Sequence, residues 1–295
     1  MTSTLSEALP DGEFFYHKDR DTTSLATITQ RVVTDLTDDE QRRLKALVAL
    51  DDAQHSLLIE DVVCDAHSLI EIVGYTLDTE GQYNNSKLLT RPDDGENRPT
   101  ILAVNYANAL FEMTTEWPAS KRRLCEQHDA LFVNTTFDGH DDAGQYRTIG
   151  VDSIPPKPAA LDELSTDLFE HSTGFVTAER THHDAHMHSG ILHYQFETIH
   201  PFSDGNGRIG RAWALSSLFT HVDTVAALPV LSYGLRSIET EYYRAFDYSL
   251  EDNRDEWLSM WFNALHAGYH RTLDLAARVK DSSQATPSML ESHYL

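Results

Sequence analysis

The segment His200-Pro201-Phe202-Ser203-Asp204-Gly205-Asn206-Gly207-Arg208-Ile209-Gly210-Arg211 constrains this chain more than any other stretch. Apolar residues at helical spacing precede it (Met187, Ile191, Phe196, Ile199) and follow it (Ile209, Trp213, Leu218), so a helix, a tight turn and a second helix are expected in succession. Gly205 and Gly207 flank Asn206 and let the backbone turn sharply, aiming successive N–H groups at one point. The helix that follows adds unpaired amides and the positive end of its dipole. Arg208 and Arg211, three apart, bring two guanidinium groups to the same face. The combination is a cradle for a polyphosphate.

Asp204 stands at the edge of that cradle, where a carboxylate repels phosphate unless a cation lies between. Mg²⁺ suits the position, because it binds through one or two carboxylates plus phosphate oxygens. His200, at the end of the preceding helix, is placed to take a proton from an incoming hydroxyl. Cradle, metal carboxylate and base together describe transfer of a phosphorus-containing group to an alcohol.

The rest of the chain is read as helical. Thr37-Asp38-Asp39-Glu40 has the spacing of a capping box ahead of Leu44, Leu47 and Val48. Leu58, Ile59, Val62, Val63, Ala66, Leu69, Ile70 and Val73 suggest a second helix that stops near Gly81. Further helices are expected through Val104 to Phe111, over about 119–133, and at Trp257, Trp261, Leu265 and Tyr269. A turn-rich stretch at 134–158 is expected to carry a β-hairpin or extended flap. The fold class is therefore all-α with a short β-hairpin flap, divided into an N-terminal helical region (1–99), a core domain (100–275) and a polar tail (276–295).

Net charge is −24, from 47 acidic and 23 basic residues, which argues against wholesale nucleic-acid binding and means that any anion site must be built locally. No apolar run is long enough to cross a bilayer. The N-terminus lacks a basic start with an apolar stretch, so a cytoplasmic protein with no membrane partner is expected. Cys64 and Cys125 are expected to be reduced core thiols. His182, His183, Asp184, His186 and His188 form a conspicuous cluster. Without a nearby cysteine or an HExxH pattern it reads as a capped or solvated helix start before it reads as a metal site.

Every specified position of residues 200–211 resembles the signature of the Fic family, HPFx(D/E)GNGRxxR. Gln195-Phe196-Glu197-Thr198-Ile199 is similar to the family's approach to the motif, and Gly144-Gln145-Tyr146-Arg147-Thr148 to the stretch before its flap. The resemblance covers about residues 100 to 270. It implies a Fic-type helical core and a protein adenylyltransferase, which moves AMP from ATP, with Mg²⁺, to a Ser, Thr or Tyr hydroxyl of a target protein. By the same resemblance His200 is the catalytic base, Phe202 anchors the loop, and Asp204 is the metal ligand. The amides of Gly205, Asn206 and Gly207, with the Asn206 side chain, hold the α-phosphate. Arg208 meets the inner phosphates and Arg211 the γ-phosphate. The flap Ile149, Gly150, Val151, Asp152, Ser153 and Ile154 aligns the target segment as an added strand. Tyr242 is a candidate for the adenine side of the nucleotide site.

Thr76-Leu77-Asp78-Thr79-Glu80-Gly81 resembles the family's inhibitory motif (S/T)xxxE(G/N), with Thr76 and Glu80 on one helical face. The resemblance implies that Glu80 pairs with Arg211 and fills the γ-phosphate position. Removal of AMP, or transfer of another nucleotide, is the enzymatic alternative on the same site. A nucleotide-binding or interaction module without catalysis is the alternative of another class. Family members often dimerise, so a homodimer is a further expectation.

Overall fold

In the computed structural model the described residues are 17–64, 69, 98–133, 135, 142–150, 157–178, 181–222, 224–247 and 250–281. They form ten α-helices: α1 (His17–Thr34), α2 (Asp38–Ile59), α3 (Arg98–Thr115), α4 (Lys121–Phe132), α5 (Leu161–Val176), α6 (His182–Ile199), α7 (Asn206–Leu218), α8 (Leu231–Ser237), α9 (Glu239–Arg244) and α10 (Leu250–Asp281). No strand occurs among them, so the all-α class holds. The expected hairpin is not seen in the described part of its segment, and Val151 to Ile154 lie outside the described residues.

Local chemistry sets the helix starts. Thr37 caps α2 through the Glu40 amide while the Glu40 carboxylate returns to the Thr37 amide, the reciprocal box that the spacing predicts. Thr181 and Asp184 do the same for α6, so the start of the histidine cluster is a capped helix. His186 and His188 are nonetheless buried rather than solvated. His186 Nε2 lies 3.0 Å from the Tyr269 hydroxyl, and His188 stacks on Phe175. No metal-holding group of three or more ligands occurs among the described residues.

The apolar faces meet in one core that runs from Ala26 on α1 to Val279 on α10. Trp213 of α7 sits at its centre, edge-on to Phe196 of α6 at 5.5 Å. The long C-terminal helix continues to Asp281. Cys64 is buried and Cys125 half-buried, and both are free thiols. No helix among the described residues is long and apolar enough to cross a membrane.

The second expected helix begins differently from its periodicity. Leu58 and Ile59 close α2, which is continuous from Asp38, and the chain leaves the helix at Glu60 and Asp61. Asp61 is in the left-handed region (φ 57°), a conformation that a short polar side chain tolerates and that ends the helical path.

Buried polar contacts hold α2 in the core. Asp52 accepts the Tyr106 hydroxyl of α3 at 2.7 Å and the Ser232 amide of α8 at 2.7 Å. Asp51 takes Arg271 of α10 in a two-pronged pair at 2.7 and 3.0 Å. Such pairs contribute more to orientation than to net stability, because desolvation offsets their attraction. The helix so held ends with Glu60 against Arg211 of α7.

Candidate active site

The turn between α6 and α7 is built largely by its own side chains. His200 caps α6 in the left-handed region (φ 49°), and its amide still bonds the Phe196 carbonyl. Gly205 precedes α7 with φ 80°, and a Cβ there would lie 2.9 Å from the Phe132 ring. Only glycine meets both demands without strain. Asn206 closes the loop: its Oδ1 accepts the Phe202 amide at 3.0 Å and its Nδ2 donates to the Phe202 carbonyl at 2.9 Å. The Asn206 side chain therefore serves the turn here, whereas the resemblance had it hold phosphate.

Phe202 is fully buried, stacked on His128 at 3.7 Å and edge-on to Tyr146 at 5.4 Å. Burying a ring of this size stabilises by roughly 2–3 kcal/mol. His128 of α4 was not singled out from sequence, where a lone histidine among Leu124 and Leu131 reads as core. It accepts the Gly144 amide at Nδ1 (3.0 Å), so Nε2 carries the proton and donates to the Asp204 carbonyl (2.8 Å). Burial pushes its pKa down to about 4, which keeps that tautomer neutral. Arg147 fastens the same turn from the other side. Its Nε donates to the His200 carbonyl at 2.7 Å and its Nη1 to the Ile149 carbonyl at 3.1 Å. The flap segment thus leaves from a point tied to the base, with Ile149 71% exposed.

Asp204 accepts Arg208 Nη2 and the Gly205 amide at the same oxygen, each at 2.7 Å. The side chain is about one-third exposed. Its other carboxylate oxygen and that exposure fit a single-carboxylate Mg²⁺ position at which phosphate oxygens complete the shell. Arg208 is buried, and its guanidinium lies 5.2 Å from the centre of the Phe132 ring.

Arg211 carries the clearest signal. It is 1% exposed, yet it points back to the end of α2. Its Nε donates to the Ser56 hydroxyl at 2.9 Å, and its Nη2 to the Ser56 carbonyl at 3.0 Å and to Glu60 Oε1 at 2.8 Å. A Cβ on Gly207 would collide with that same Glu60 oxygen, so the carboxylate lies directly over the first turn of α7. Burial pushes the Glu60 carboxyl up, but Arg211 more than compensates and holds it below its usual range. A side-chain anion thus occupies the place where the amides, the helix dipole and Arg211 converge.

Thr76 and Glu80 lie outside the described residues. The serine and glutamate that the structure sets on Arg211 are Ser56 and Glu60, which have the same four-residue spacing. Asp61 follows this pair, where the motif that Thr76 to Gly81 resembles has Gly or Asn. Asp61 adopts the left-handed conformation that those residues favour.

Tyr242 is also placed differently from expectation. It is 2% exposed, behind Arg211, with its hydroxyl 2.8 Å from His193 Nε2. Such a ring does not present a face to a nucleotide. Its neighbour Tyr243 is about half exposed and donates to the Ile59 carbonyl at 2.9 Å.

His200 is 23% exposed and bonds to the Glu197 backbone, which leaves one ring nitrogen as an acceptor. Burial lowers its pKa, so the ring is held ready as a neutral base. His200, Asp204 and the first amides of α7 thus all belong to the α6–α7 junction.

Residues 118–218, which include the whole of this junction, match the model of the Fic/DOC family. Among solved structures, a Fic family protein from Desulfovibrio desulfuricans G20 superposes with a TM-score of 0.61 at 21% identity, over 94% of this chain and 79% of that one. Fic-1 from C. elegans gives 0.56 at 17% identity, over 88% and 71%. A Fic domain containing signaling protein from Bacteroides thetaiotaomicron VPI-5482 gives 0.53 at 16% identity, over 91% and 100%. At these identities the likeness speaks for the fold.

Proposed function

From a chain that carries a Fic/DOC-family domain over residues 118–218, we propose a protein adenylyltransferase that moves AMP from ATP to a hydroxyl of a target protein and is restrained by Glu60. The observation that carries the reading is the Glu60 carboxylate seated over Gly207 and bonded to Arg211 at 2.8 Å. An anion already lies where a terminal phosphate would be held, within reach of a base and a metal carboxylate.

His200 accepts the proton of the acceptor hydroxyl through its free ring nitrogen as the oxygen attacks the α-phosphorus and pyrophosphate leaves. The amides at the start of α7 and Arg208 hold the phosphates, which confines the attack to one line. Asp204 would hold Mg²⁺, whose chemistry is to neutralise charge on the phosphate oxygens. The Ile149 carbonyl, tied to Arg147 and through it to His200, sets the path along which the target segment approaches.

Glu60 opposes this by occupying Arg211. A γ-phosphate cannot pair with that guanidinium until the carboxylate leaves, so the triphosphate binds in another orientation or not at all. The test uses ATP labelled at the α- or the γ-phosphate, with wild type, Glu60→Gly and His200→Ala. Adenylyl transfer puts α-label, and no γ-label, on protein in the Glu60 variant and none in the His200 variant. Bound nucleotide without covalent label in every protein sinks the reading and favours a binding module.

A further inference from the structure

Glu197 is not absorbed by the roles above. It sits on the last turn of α6, three residues before His200, with its side chain 13% exposed and Oε2 3.7 Å from His200 Nδ1. Oε1 is buried and has no hydrogen-bond partner among the described residues. It lies where α6 and α7 come closest: a Cβ on Gly210 would meet it at 2.7 Å and His193 Nδ1 at 3.0 Å. A carboxyl with an orphan buried oxygen costs stability, and such a cost is commonly retained where it serves function.

We propose that Glu197 is a positioning residue for the base, whose backbone carbonyl holds one His200 ring proton and whose carboxyl becomes the counter-charge when His200 is protonated. The proposal rests on the adenylyl-transfer reading for its reaction, but not for its geometry. In the step, the acceptor O–H bond breaks and its proton settles on the His200 ring. The acceptor oxygen bonds the α-phosphorus, and the bond to the pyrophosphate oxygen breaks. The Glu197 carboxyl then gives its proton to solvent, leaving a carboxylate beside the imidazolium. Atoms and charge balance without any further reactant.

Among the described residues, Arg147, Glu60 and Asp204 also face His200. Arg147 is a cation and opposes an imidazolium, Glu60 is engaged by Arg211, and Asp204 by Arg208. Among the described residues, Glu197 itself is faced by Arg211, Glu60, Tyr242 and the neutral His193. Burial pushes its carboxyl up to about 8, with Glu60 adding to the rise and Arg211 opposing it. At neutral pH it is therefore mostly a neutral acid, and it leaves the resting His200 uncharged. An opposite charge at this distance shifts a partner's pKa by about one to two units.

The test follows the His200 imidazole by NMR from pH 5 to 9.5, with its resonances assigned by their loss in His200→Ala. The wild-type ring is expected to move twice, once at its own titration and again between pH 7 and 9 as Glu197 ionises. Glu197→Gln, of nearly the same shape, abolishes the upper step. In a Glu60→Gly background the lost carboxylate moves the Glu197 step to lower pH, and label incorporation in the parent rises through that lowered step. With Glu197→Gln it stays flat, about tenfold lower than the parent above the step and within about threefold below it. KM for ATP stays within about twofold, which a loss of site structure would not allow. A wild-type His200 that senses no titration between pH 7 and 9.5 overturns the proposal without any variant, as does an upper step retained in Glu197→Gln. Absence of α-label in every protein removes the adenylyl-transfer reading, while the NMR steps still decide the role of Glu197.

Discussion

Glu60 and Arg211 stand 151 residues apart in sequence and 2.8 Å apart in space, joining the end of α2 to the first turns of α7. Arg211 is 1% exposed, so its charge depends on this partner and on Ser56. The same guanidinium cannot serve Glu60 and a phosphate fully at once. Under the proposed function the pair sets an internal anion in competition with the nucleotide.

Replacing Glu60 by glycine is expected to raise incorporation of α-label from ATP by tenfold or more, read as self-modification or in lysate. The equivalent change at Glu80 is expected to leave the rate near wild type. A Glu80 variant that activates while the Glu60 variant does not would return the brake to the segment first expected to hold it.

The same substitution leaves Arg211 buried without its carboxylate. We expect a loss of about 1–3 kcal/mol in stability, the scale for an unpaired buried polar group, seen as a drop in Tm of several degrees. Mg²⁺ with ATP restores part of it, because a ligand that binds only the folded state raises Tm by mass action. A Tm unchanged by both the substitution and the nucleotide would mean that Arg211 does not face the ligand.

Gly205→Ala tests the turn. At φ 80° an L-residue costs about 1–2 kcal/mol, and the new methyl would press on Phe132 at 2.9 Å. Lower stability together with lost labelling is expected from thermal denaturation and the transfer assay. Wild-type values for both would show that the loop tolerates another path.

His186 offers a pH test away from the site. Burial, with neighbouring histidines, pushes its pKa down to about 3 from an ordinary 6.5. As pH falls below 6.5 the unfolded chain takes up a proton that the folded chain refuses, so the stability this group contributes is present above 6.5 and drains toward pH 3. His186→Gln is expected to be less stable than wild type at pH 7.5, to close that gap as pH drops through 6.5 to 4, and to label normally. Urea midpoints across that range measure it, and a gap that widens on acidification would contradict the burial of a neutral ring.

Much of the site was legible before the fold. His200, Asp204, Gly205, Arg208 and Arg211 fall within the single segment 200–211, so their proximity follows from a turn and 3.6-residue periodicity alone. The capping boxes at Thr37 and Thr181 are local in the same sense. Other roles could not be read from sequence. His128 looks like any core histidine until the fold stacks it on Phe202 and hands it the Asp204 carbonyl. Asn206 looks like a phosphate ligand until its amide is found closing the loop. Tyr242 looks available to a nucleotide until packing buries it behind Arg211.

The sequence by itself determined the helical character, the glycine-bracketed turn and the gathering of His200, Asp204, Arg208 and Arg211 around it, because each depends on residues within a few positions of one another. Only the tertiary structure decided which glutamate meets Arg211. Among the described residues it is Glu60, at the end of a helix that Asp51 and Asp52 hold in the core through buried partners on α3, α8 and α10. Long-range contacts of that kind carry no local periodicity, so their outcome is settled by packing.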